Sequence, residues 1–145
     1  MLAPITRVRA MRWFNNKVEC KDIWEEPVPG PLGDIEAADR IRHICRSAAD
    51  SAEWVGGVAP RVDNPKRSAP KQLETESARY QRAAKAAMEI AMKVSDELMR
   101  DAAVREIVEL CLTAGDMKTA RILFRAIQSP SIRDGLLREH PELVG

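Results

Sequence analysis

Apolar residues return at three- and four-residue steps along most of this 145-residue chain, a period that predicts one helix after another. Ile35, Ala38, Ile41, Cys45, Ala48, Ala52 and Val55 line one face of a helix over 34–55, with Asp34 after Gly33 as its N-cap and Gly56-Gly57 as its stop. From about residue 72 the pattern predicts four more helices. Tyr80, Ala84, Ala87, Ala91 and Val94 share a side of the first, which Ser95-Asp96 breaks. Val104, Ile107, Val108 and Cys111 mark the second, closed by Gly115 as a left-handed C′ residue. Asp116 caps the third, whose face is Met117, Ala120, Leu123, Phe124 and Ile127. The fourth opens on Ser129 as N-cap with Pro130 at N1, and Pro141 ends it, because the residue before a proline avoids helical angles. Loops this short favour antiparallel packing of consecutive helices.

Elsewhere the period fails. In residues 1–33, Val8, Met11, Trp13, Phe14, Val18, Ile23 and Trp24 are scattered among charges, and Pro27-Val28-Pro29-Gly30-Pro31 stops any regular element. Pro60, Pro65 and Pro70 interrupt residues 56–71, a density that argues against both helix and central strand. The chain therefore divides into an irregular N-terminal extension (1–33), an amphipathic helix (34–55), a Pro-rich linker (56–71) and a helical-hairpin repeat domain (72–145). The expected fold is all-α, a short right-handed array of antiparallel helical hairpins.

One unit occurs twice, 33 residues apart. Ala87/Ala120, Arg100/Arg133, Asp101/Asp134, Arg105/Arg138 and Glu106/Glu139 are identical, and Ile90/Leu123, Val94/Ile127, Met99/Ile132 and Val104/Leu137 exchange one apolar residue for another. A period near 33 with its apolar positions kept is how stacked helix-hairpin repeats look in sequence. Within it, Gly115-Asp116-Met117-Lys118-Thr119-Ala120, then Phe124 and Ile127, resembles the centre of a tetratricopeptide repeat, and Ile107 and Cys111 stand where its first helix faces inward. Val104, Val108 and Ile127 depart from that motif's tryptophan, early glycine and second-helix alanine. Pentatricopeptide and HEAT-like hairpins share much of the same pattern.

The resemblance implies a binding surface on the concave side, lined by the first helix of each hairpin: Ala102, Arg105, Glu109 and Leu112, then Arg138 one repeat later. Arg105 and Arg138 would together hold a carboxylate or an acidic peptide. The plainer alternative pairs each with the acid four residues before it, Asp101 and Asp134.

Composition changes this picture little. Charges balance in every part, five bases to four acids in 1–33, six to six in 34–70 and twelve to twelve in 71–145. Such balance argues against a dedicated nucleic-acid or membrane surface. No apolar run reaches the ~18 residues of a membrane span. Cys20, Cys45 and Cys111 have no pairing rhythm and read as reduced thiols, which suits the cytoplasm. Arg7, Arg9, Arg12 and Lys17, with no acid before Glu19, leave mitochondrial import as a lesser alternative.

Candidate chemistry is sparse. His43-x-Cys45 points two potential ligands in different directions on a helix, and Cys111 falls on an apolar stripe. No phosphate-cradling, dinucleotide, zinc-protease or nucleophile-elbow motif occurs. The expected function is therefore non-catalytic, without metal or cofactor: a protein–protein interaction module or small subunit of a larger assembly, with self-association open. The competing class is a nucleic-acid binder using Lys118, Arg121 and Arg125 with linker bases Arg61, Lys66, Arg67 and Lys71. Trp13, Trp24 and Trp54 all precede the repeats, either anchoring a partner or capping the open end of the array.

Overall fold

The computed structural model describes residues 22–26, 30–57 and 65–145. Among them there are helices and connections but no strand, in the order of a 3-10 turn (Ile23–Glu25), α1 (Asp34–Gly56), α2 (Pro65–Ala91), α3 (Glu97–Thr113), α4 (Met117–Ala126), α5 (Pro130–Glu139) and a closing 3-10 turn (Pro141–Val144). The all-α expectation holds.

The helix ends follow local chemistry. Asp96 caps α3 by accepting from Met99 N at 2.8 Å, and Asp116 caps α4 by accepting from Thr119 N at 3.2 Å. Gly115 takes φ +73°, the left-handed conformation that lets the chain turn back after α3. Pro130 sits at N1 of α5, but Ser129 makes no side-chain cap bond. Asp34 is the first residue of α1 and Gly33 its N-cap. The Asp34 carboxylate instead reaches across the fold to Ser95 N and Asp96 N, both at 2.9 Å.

Two expectations need correction. α2 begins at Pro65 and carries Pro70 inside it, so helix occupies part of the stretch read as linker. Pro65 is at the first helical position, where its missing N–H has no partner to lose; Pro70, in the second turn, forfeits one backbone bond without ending the helix. Ile35 was expected on the inner face but is 69% exposed, while Ala37, Ile44 and Ser51 are buried.

Three contacts fix the directions of the helices. Asp34 joins the N-terminal end of α1 to the N-terminal end of α3. At their other ends, a side chain on Gly56 would collide with the carbonyl oxygen of Thr113. α1 and α3 therefore run parallel. α2 runs against α1: its buried Glu76 accepts from Ser51 Oγ at 2.7 Å near the C-terminal end of α1, and Ile90 and Ala37 line the same small cavity near the other end. α4 runs against α3, since buried Asp101 near the start of α3 accepts from Gln128 N and Ser129 N just beyond α4. α5 then sets out from Asp101 toward Arg105 in the direction of α3, so α1, α3 and α5 share one direction.

Ile41, Ile44, Ala48, Tyr80, Ala87, Ile107, Val108, Cys111, Phe124, Ile127 and Leu136 belong to a single continuous core. It joins all five helices. α4, with 10 residues, is too short to hold its shape alone in water and depends on Ala120, Leu123 and Phe124 packing into this core. No helix among the described residues is long and apolar enough to cross a membrane.

Candidate interaction surface on α1, α3 and α5

Arg105 and Arg138 lie close together. A methyl group placed on Gly135 would be 3.6 Å from Arg105 Nη1 and 4.0 Å from Arg138 Nη2, so the two guanidinium groups converge over the same point of α5. Neither forms the ion pair expected four residues back. Arg105 Nε donates to Glu109 at 3.2 Å and Arg105 Nη2 to Glu139 at 2.8 Å. Asp101 is 3% exposed and its carboxylate is engaged by backbone N–H groups. Arg138 is exposed, and neither it nor Asp134 makes an ion pair among the described residues. Leu112 is half-buried and Ala102 exposed.

The three tryptophans separate. Trp13 lies outside the described residues. Trp24 is 8% exposed and part of the core, with the Arg79 guanidinium 5.4 Å from its ring centroid. Arg79 in turn holds Asp22 at 2.8 Å, and Arg40 Nη2 donates to the carbonyls of Ile23 and Glu26. Trp24 thus closes the outer edge of α1 and α2 and offers no exposed ring to a partner. Trp54 remains half-buried near the end of α1.

Neither buried thiol is poised as a nucleophile. Burial pushes the Cys45 thiol up to about 12 and the Cys111 thiol up to about 11, so both stay protonated and unreactive near neutrality. The Tyr80 phenol is likewise raised, chiefly by burial, and donates to Asp116 at 2.8 Å. His43 is exposed, and among the described residues no three His, Cys, Asp or Glu side chains cluster as metal ligands.

The residues of the nucleic-acid alternative divide in a similar way. Arg121 is turned onto its own chain, donating to the Glu142 carbonyl from both Nε and Nη2. Lys118, Arg125 and Lys71 are exposed. Arg61 lies outside the described residues, as do the side chains of Lys66 and Arg67.

A further feature of the same face had no place in the sequence reading: a groove between α1 and α3 lined in part by Arg42, Arg46, Glu106 and Glu109. Arg42 and Arg46 are one helical turn apart, as a surface pair would be, but their spacing does not reveal which other helix they face.

Comparison with known proteins adds no relationship: no family model matches the chain, and neither the curated proteins nor the solved structures provide a match.

Proposed function

We propose that this chain is a non-catalytic protein–protein interaction module, or the small subunit of a larger assembly, built as a short tetratricopeptide-like array of helical hairpins. In this reading α1, α3 and α5 are the first helices of successive units, and their shared outer face receives a partner peptide or helix. The observation that carries it is the convergence of Arg105 and Arg138 over Gly135, from α3 and α5, on one open surface. Two guanidinium groups that close suit a carboxylate, which accepts charge-assisted bonds of ~2.8 Å. Glu109 and Glu139 hold Arg105 in place and would be displaced, or joined, by an acidic partner. Cys45 and Cys111 are free, unpaired thiols, which suits a reducing compartment, and the cytoplasm is the proposed location.

Capture from the native source, divided into nuclease-treated and untreated halves, tests the reading. A stoichiometric protein partner that survives nuclease supports it. Nucleic acid in the untreated half, with proteins lost on digestion and binding that weakens steeply with salt, would replace it with the nucleic-acid class.

A further inference from the structure

The groove between α1 and α3 has a volume of about 280 Å³. Its floor includes Cys45 and Leu110, one from each helix. Its walls carry opposite charge: Arg42 and Arg46 on α1 face Glu106 and Glu109 on α3. Among the described residues a single long ion pair spans the groove. The contact that crosses is Arg42 Nε to Glu106 at 3.9 Å, whereas Arg42 has its short bond, 2.8 Å, with Asp39 on its own helix. Arg46 makes no ion pair among the described residues, and Glu109 turns to Arg105 on its own helix.

We propose that this groove docks an α-helix of a partner protein whose apolar stripe is flanked by acids along one edge and bases along the other. The inference rests on the interaction-module reading and gives the partner's chemistry. Charge complementarity defines the occupant, because a ligand of one sign would meet repulsion from one wall. Pitch defines its conformation. Each wall repeats its charge after one helical turn, a spacing of about 5–6 Å that a docking helix shares through its own i and i+4 residues. Because the walls differ in sign, the edge of the partner that bears its acids sets which way it runs along α1 and α3.

Three labelled helical peptides of about five turns test the proposal on the full chain by fluorescence anisotropy. All share a leucine stripe; one is flanked by Glu on one edge and Lys on the other, one by Glu on both, one by Lys on both. The mixed peptide should bind about five-fold or more tighter than either single-sign peptide. Reversing one wall, Arg42→Glu/Arg46→Glu, or the other, Glu106→Lys/Glu109→Lys, should weaken it by about the same factor, and reversing both walls together should restore it, since the peptide can then dock end for end. These side chains are exposed or half-buried, so circular dichroism should be unchanged. Equal binding of the three peptides, or a chain with both walls reversed that binds no better than one with a single wall reversed, would overturn the proposal. Partner capture lost on reversal of Arg105 and Arg138 would still support the interaction module, so the two failures can be told apart.

Discussion

The carboxylate of Asp101 accepts the backbone N–H of Ser129 at 2.8 Å, fastening the start of α5 to the start of α3. The same oxygen also accepts from Gln128 N at 3.1 Å. Asp34 does the equivalent at the other helix junction, taking Ser95 N and Asp96 N just ahead of α3. In both cases a carboxylate satisfies two backbone donors in a bend leading to a helix, groups that the helix itself leaves unpaired. Position in the helix order therefore depends on single acidic side chains as well as on the apolar core.

Asp101 and Asp134 occupy the same place in the 33-residue repeat, yet only Asp101 is buried. Asp101→Ala should lower stability by about 2–4 kcal/mol, since it removes hydrogen bonds to a charged acceptor and orphans two N–H groups. Asp134→Ala should stay within about 0.5 kcal/mol. Urea denaturation of both variants checks the contrast, and equal losses would contradict it.

Asp34 gives a pH signature. Its backbone donors Ser95 and Asp96 hold its pKa below the ordinary 3.8. A pKa lower in the folded state means a contribution present above the unfolded value and lost as pH falls through the folded one. The native chain should therefore lose more stability on acidification below about pH 4 than Asp34→Asn does. Denaturation midpoints across that range provide the measurement, and parallel curves would argue against the tether.

Tyr80 is the only tyrosine in the chain, so tyrosinate absorbance in the ultraviolet reports on it alone. Burial raises its pKa, and that contribution to stability is present below the unfolded value and lost as pH rises from there through the higher folded one. Tyrosinate should appear together with loss of the helical signal in an alkaline titration. Ionisation at about pH 10 in a still-folded chain would show that the Tyr80–Asp116 contact is wrong.

The parallel course of α1 and α3 depends on close approach at their C-terminal ends. Gly56→Ala places a methyl group against the Thr113 carbonyl and should cost about 1–3 kcal/mol, the usual penalty of overpacking. Gly33→Ala meets only the flexible end of Glu36 and should cost less, about 1 kcal/mol at most, as a poorer N-cap of α1. Thermal denaturation of the two should separate them clearly.

The helices were legible in sequence because each buries a periodic stripe: Val104, Ile107, Val108 and Cys111 are all in the core, as are Ala120, Leu123, Phe124 and Ile127. The caps at Asp96 and Asp116 were equally legible, because capping is local chemistry. What failed was non-local. Asp34 has the spacing of an N-cap, and nothing near it in sequence indicates that its partners lie 61 and 62 residues away. Arg105 was paired with Asp101 by spacing alone, but Asp101 serves another helix, and Glu109 and Glu139 take its place. Residues 72–145 alone are too few for a large core, and α1 adds a layer to it with Ile41, Ile44 and Ala48, all fully buried. The groove beside α1 is not legible in the sequence because it exists only once α1 and α3 lie side by side.

The most direct test of the interaction surface is partner capture by Arg105→Glu/Arg138→Glu beside the unaltered chain, with helical content matched by circular dichroism. Recovery of the nuclease-resistant partner should fall by about ten-fold or more, since reversal replaces two attractions with two repulsions. Unchanged recovery by a fully folded double variant would contradict a binding face on α3 and α5.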